Sequence, residues 1–260
     1  MNKDKPVVIL KLDDLRDYNL DNFTRVADFV LSQNIKASFG INGIYLSGKS
    51  KEDPYVSRIK AWDRTGHIEI WHHGWDHSTA EDRSWYEYSE RHKDSREEYG
   101  DITSNRNFER QFRDFINTIE IVEKVLGIEL HSFGTPYNQN DETLIQVINQ
   151  FPQIRVFLFP RTAVTNQLEL SIVEGRGRLN IENEAVGNMD FDYFMTNYET
   201  YDSAMDYMVL QAHPGNFKAA NYRDFERMCS FLMEQGHRFM TPYEYYNYRT
   251  EKSSLVAAGG

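Results

Sequence analysis

Chemistry-bearing side chains crowd into Trp71-His72-His73-Gly74-Trp75-Asp76-His77-Ser78, where three imidazoles and one carboxylate fall within eight residues. Neutral imidazoles bind transition-metal ions, and two of them four residues apart on a helical turn would project from one face toward a shared ion. His73 and His77 stand at that spacing, but so do His72 and Asp76. Spacing alone does not choose between the pairs. Two more reactive groups lie far away in the chain, the adjacent carboxylates Asp13-Asp14 and the imidazole of His213. Two imidazoles and one carboxylate on a divalent ion leave positions for water and substrate, as hydrolytic sites do and structural sites do not. A second carboxylate is then free to take a proton, and a histidine from elsewhere can give one to a leaving group.

Each of these groups follows an apolar run that reads as a buried strand: Val7 to Leu12 before the aspartates, Ile68 to Trp71 before the histidines, and Met208 to Ala212 before His213. Between them the period changes to that of helices, at Asn22 to Gln33, at Val56 to Thr65 and most clearly at Phe108 to Leu126, which Gly127 stops. Further strands are expected at Ala37 to Ile41, Ile128 to Phe133 and Ile154 to Phe159, and further helices at Glu142 to Asn149 and Tyr222 to Glu234. Alternating strands and helices imply a parallel sheet, and in such folds the strands' C-terminal ends carry the chemistry. The expectation is one α/β domain over residues 1–250, a single distorted (β/α) barrel. An insertion is expected at 79–105 and a flexible C-terminal tail at 251–260, while Arg161 to Ala185 has no clear pattern.

Composition narrows the function. A net charge of −11 without a basic patch argues against a nucleic-acid or anionic-membrane surface. The first apolar run is too short for a signal peptide or a membrane span, so the sequence as written is expected to stay in the cytoplasm, or to be extracytoplasmic if a leader has been trimmed. Cys229 is the only cysteine, which excludes a disulfide framework, and its helical apolar setting marks it as core.

Several segments resemble the polysaccharide deacetylases, the NodB-homology proteins of carbohydrate esterase family 4. Lys11-Leu12-Asp13-Asp14 resembles their Thr-Phe-Asp-Asp element, and Glu69-Ile70-Trp71-His72-His73-Gly74-Trp75-Asp76-His77 resembles their Glu-Ile-Gly-Asn-His-Thr-Trp-Asp-His. Phe133-Gly134-Thr135-Pro136-Tyr137 is similar to their Phe-Arg-Pro-Pro-Tyr, Val209 to His213 to their late strand, and Gly236 to Thr241 to their closing Gly-Tyr-Arg-Phe-Val-Thr. The resemblance favours His73 and His77 over the competing pair. It implies Asp14, His73 and His77 as ligands of a divalent ion, Zn2+ first, with Co2+ or Ni2+ as alternatives, since imidazole-rich sites prefer such ions to magnesium or calcium. It further implies Asp13 as general base, His213 as general acid and the Tyr137 backbone N–H as an oxyanion donor. Trp75, Pro136 and Arg161 are the residues expected to contact the substrate, an acetylated sugar or polysaccharide.

Three departures from the family pattern stand out. Gly134 occupies the place of an arginine that orients the base, leaving Asp13 held differently or another cation, such as Arg161, in its place. Leu15 replaces a glycine and is expected to narrow the cleft floor. No Asp-x-x-Asp-Trp element follows Pro160, with Asp190 and Asp192 as weak substitutes. The activity expected is metal-dependent removal of an N- or O-linked acetyl group. The alternatives are a catalytically silent carbohydrate-binding protein of the same fold and a hydrolase of another C–N amide in a small molecule.

Overall fold

A computed structural model of the chain describes residues 5–77, 108–136, 142–158, 171–172, 178–201 and 205–258. The expected insertion at 79–105 lies outside them, as do Tyr137 and Arg161. Among the described residues, eight strands form one sheet: β1 (Val7–Leu15), β2 (Ala37–Ile41), β3 (Ile68–His72), β4 (Ser132–Phe133), β5 (Val156–Phe157), β6 (Ser171–Ile172), β7 (Arg178–Asn180) and β8 (Tyr207–Ala212). Their order is β6-β5-β4-β3-β2-β1-β8-β7, and every pairing is parallel. The sheet curls into the distorted (β/α) barrel expected from the alternation of elements. The helices are α1 (Leu20–Ser32), α2 (Pro54–Asp63), α3 (Phe108–Leu126), α4 (Glu142–Ile148), α5 (Phe191–Glu199), α6 (Ala219–Glu234) and α7 (Pro242–Ala258).

Strand side chains alternate between the two faces of the sheet, and burial sorts them accordingly. Val8, Leu10, Leu12, Ile68, Ile70, Phe133, Phe157, Leu179, Met208, Leu210 and Ala212 belong to the large core shared with the helices. Val7, Ile9, Trp71, Val156, Leu158, Tyr207 and Val209, of the other parity, form an inner cluster that Tyr245 of α7 joins. The inner rows of β1, β3 and β8 therefore run Val7-Ile9-Lys11-Asp13, Glu69-Trp71-His73 and Tyr207-Val209-Gln211-His213. Each begins inside the barrel and ends in polar groups.

The element boundaries carry the differences from expectation. Ile128 and Leu130 are buried but their segment is not paired, so β4 is two residues rather than six. Helix α5 begins at an N-cap, Asp190, whose carboxylate accepts the Tyr193 N–H at 2.9 Å. Asp190 is thus a capping residue and Asp192 lies in the first turn. Helix α7 runs to Ala258, where a flexible tail was expected from residue 251; it enters with Pro242, and Glu69 accepts its Tyr243 N–H at 2.9 Å. Leu15 is fully buried in the helix-side core and does not narrow the cleft. Cys229 is buried as expected.

Candidate active site

At the C-terminal ends of the strands a cleft of about 550 Å³ is lined by Asp13, Asp14, His73, His77, Gln211 and His213, together with the segment from Arg178 to Val186. Adjacent residues on a regular strand face opposite ways, so Asp13 and Asp14 reach one cleft only because β1 is irregular. Its register against β2 shifts between Leu12 and Leu15, and Asp14 adopts the left-handed region at φ 71°. The Asn19 side chain donates to the Asp14 carbonyl at 2.8 Å, and Arg16 meets Asp14 Oδ1 at 3.0 Å. Backbone of this kind costs about 1–3 kcal/mol at a non-glycine residue and persists where its surroundings hold it.

The histidines are delivered differently from the helical turn that their spacing suggests. After β3 the chain bends through Gly74 at φ 80° and His77 at φ 66°, which swings His77 back toward His73, with ring centroids 5.4 Å apart. A Cβ at Gly74 would lie 2.9 Å from Pro136 Cγ. His72 has the other parity. It is buried, stacks on Phe115 at 4.2 Å, accepts the Gly74 N–H at Nδ1 and donates from Nε2 to the Phe115 carbonyl. Burial pushes its pKa down to about 3, so it is a neutral core group and not a ligand.

Asp14, His73 and His77 each offer one ligand atom, all within 4.8 Å of one another. The His73 ring meets the Gly134 carbonyl at 2.8 Å through Nδ1, which must therefore donate, leaving the Nε2 lone pair free. That nitrogen is buried without a hydrogen bond among the described residues, 3.4 Å from Asp14 Oδ1, while His77 Nε2 lies 3.0 Å from the same oxygen. Burial raises the Asp14 pKa, but the two imidazoles outweigh it and hold the carboxylate well below its usual range. Burial, against the pull of Asp14, lowers the pKa of His77 and favours the neutral ring that a metal requires. An orphaned imidazole nitrogen beside a second imidazole and an ionised carboxylate fits a divalent transition ion.

Asp13 and His213 flank this cluster. Asp13 Oδ2 lies 3.9 Å from His73 Nε2 and 3.9 Å from His213 Nε2. Burial raises the Asp13 pKa, yet Lys11, His73 and His213 together bring it below the ordinary value. His213 Nδ1 meets Glu182 Oε2 at 2.7 Å, and the His213 backbone N–H donates to Glu182 Oε1 at 2.7 Å. Burial lowers the His213 pKa, but Glu182 and Asp13 pull harder and the net shift is upward. The shifts run in the directions that suit a base and an acid, favouring the charged carboxylate and the charged imidazole.

Two residues here escaped the sequence reading. Glu182 follows β7, inside the stretch without clear pattern, and supplies the carboxylate behind His213. Lys11 was legible from parity, being two residues before Asp13 on a buried strand. Its Nζ lies 2.8 Å from Asp13 Oδ2 and it is completely buried. Trp75 and Pro136 are not among the described residues that line the cleft: the Trp75 ring packs over Gly43, where a Cβ would come within 2.8 Å, and Pro136 is buried against Gly74. Trp71 is wholly buried.

The curled parallel sheet, with its reactive groups at one end, is a (β/α) barrel of the NodB type. The chain belongs to the polysaccharide deacetylase family, whose sequence profile matches residues 1–154. No curated protein sequence matches it. Among solved structures it is similar to a family 4 acetyl xylan esterase from Clostridium thermocellum in complex with a cobalt ion, at 16% identity and TM-score 0.63, covering 94% of this chain and 92% of that one. It is similar to a peptidoglycan deacetylase from Bacillus subtilis, at 12% identity and TM-score 0.60 with 98% of both chains covered. A carbohydrate esterase family 4 pseudoenzyme from Bacillus anthracis matches at 12% identity and TM-score 0.57, over 93% of this chain and 66% of that one. At these identities the likeness is one of fold. No helix among the described residues is long and apolar enough to cross a membrane.

Proposed function

We propose that this protein is a metal-dependent hydrolase that removes an N- or O-linked acetyl group from a sugar or polysaccharide. The observation carrying this reading is the convergence on one cleft of a metal-type cluster, a buried carboxylate and a carboxylate-backed imidazole. Asp14, His73 and His77 would hold the ion, which supplies Lewis acidity and lowers the pKa of water. Asp13 accepts the proton that water loses as it adds to the acetyl carbonyl. His213, backed by Glu182, passes its Nε2 proton to the amine or alkoxide as the C–N or C–O bond breaks, leaving acetate. The Tyr137 backbone N–H is the donor proposed for the developing oxyanion. Arg178 and Asn180, which line the cleft, suit sugar hydroxyls better than Trp75 or Pro136 do.

The second reading is a silent, carbohydrate-binding member of the family, favoured by Gly134 at the place of the motif arginine and by the pseudoenzyme among the similar structures. A third keeps the chemistry but takes a small-molecule amide. Acetate release from a panel of acetylated saccharides, beside small amides, separates all three when the protein is loaded with Zn2+ or Co2+. Acetate from saccharides supports the first reading, and turnover of amides alone supports the third. No turnover of any substrate, with metal bound, selects the silent protein.

A further inference from the structure

We propose that Lys11 is the residue that positions Asp13, acting from strand β1 through space that Gly134 leaves open. The proposal rests on the acid–base reading of Asp13. A fully buried ammonium is costly unless paired, and Lys11 pairs with Asp13 at 2.8 Å while standing 5.3 Å over the Trp71 ring. Gln211, on the neighbouring strand, donates to the same oxygen, Asp13 Oδ2, at 2.5 Å. With Oδ2 so engaged, Oδ1 is buried without a hydrogen-bond partner among the described residues. The two oxygens are thereby given different jobs: Oδ2 anchors the carboxylate and Oδ1 keeps lone pairs for a proton.

Gly134 explains how the lysine stem fits. A Cβ there would stand 3.3 Å from Lys11 Cε, 3.3 Å from Leu158 Cβ and 2.8 Å from Trp71 Cζ3. On β2, a Cβ at Gly40 would strike the same indole at 2.4 Å. The Trp71 ring therefore lies against two glycines, and Lys11 extends across it. A long side chain at position 134 and the lysine at position 11 would compete for one volume. The glycine that looks like the loss of a cation is thus the counterpart of a cation supplied from another strand.

The test is a mutant cycle on the metal-loaded protein with an acetylated saccharide. Lys11→Met keeps the stem over Trp71 and removes the charge; Lys11→Gln, which retains an N–H donor, serves if the methionine variant does not fold. Loss of a charge-assisted hydrogen bond should lower kcat by about 10- to 100-fold. KM should move by less than about threefold, because uniform substrate binding is untouched, and metal content should equal wild type. In an Asp13→Asn background the same substitution should cost little more, since residues acting as a unit are non-additive. Full additivity in an otherwise active enzyme, or a loss expressed in KM or metal content, overturns the role of Lys11. Urea unfolding of the same four proteins reads the pair without turnover, so the cycle still decides whether Lys11 holds Asp13 if wild type proves inactive. Inactivity of wild type counts against the deacetylase reading, and zero coupling in unfolding counts against Lys11.

Discussion

Replacing Glu182 by glutamine removes a charge from behind His213 while keeping the size of the side chain. In the native site the Glu182 carboxylate sits 2.7 Å from His213 Nδ1, with only 12% of its side chain exposed, so screening by water is weak. Burial pushes the His213 pKa down, and Glu182 and Asp13 together raise it above the ordinary imidazole value. A hydrogen bond to a charged group contributes about 1.5–3 kcal/mol. At about 1.4 kcal/mol per pH unit, its loss should lower the pKa of His213 by about 1–2 units. The sign follows from the acid role proposed for His213: it must carry a proton to donate it, so activity should fall as pH rises through its pKa. In Glu182→Gln the alkaline limb of kcat/KM should move to lower pH by that amount, while the acidic limb, assigned to Asp13, stays in place. The assay is acetate release from an acetylated saccharide across about pH 3 to 10, low enough to reach a carboxylate held below its ordinary value, with saturating Zn2+ or Co2+. An alkaline limb unmoved in Glu182→Gln, with the acidic limb also intact, refutes the pairing of Glu182 with the catalytic acid.

Asp13→Asn and His213→Ala should each lower kcat by at least about 100-fold, the lower end expected for losing acid–base help, with metal content near wild type. Wild-type turnover in Asp13→Asn would show that another group is the base. His73→Ala and His77→Ala should lose the bound ion, as read by elemental analysis after dialysis, and unchanged stoichiometry would remove them from the ligand set. His72 bears on stability: its folded pKa of about 3 lies below the ordinary 6.5, so the unfolded chain binds the proton first and stability falls as pH drops through that window. From pH 7 to pH 5 this one group should cost about 2 kcal/mol in urea unfolding of the metal-free protein. A His72→Asn variant should lack that part of the slope, and an identical slope would mean that His72 is not held neutral.

Much of the site was readable because reactive residues end apolar runs. Val7 to Leu12 announced β1, and with it the position of Asp13 and Asp14; Ala37–Ile41 and Phe108–Leu126 were found to the residue. What failed were inferences from spacing without backbone. The four-residue interval between His73 and His77 suggested a helix, whereas two left-handed residues, Gly74 and His77, bring the rings together. Glu182 was illegible because β7 has three residues and Glu182 itself sits in an isolated antiparallel bridge to Met189, which leaves no periodic trace. Trp75 and Pro136, expected at the substrate, pack against Gly43 and Gly74, as apolar side chains readily do. Lys11 could have been found by counting in twos from Asp13.

The strand order has a consequence for how the protein is made. β1 pairs with β8 from Val7↔Tyr207 to Leu12↔Ala212, so the chain's first strand waits for its last before its second edge is covered. Asp14, His73 and His77 all lie in the first 77 residues, and at about 5–20 residues per second the ribosome delivers His213 on the order of ten seconds after them. During that interval the proposed ligand set can exist without the proposed proton donor, beside an apolar strand edge of the kind that recruits other chains. A nascent chain able to grip an ion at that stage would have β1, β2 and β3 pinned while it waits, and metal supply during synthesis should then raise the yield of folded protein rather than only its activity.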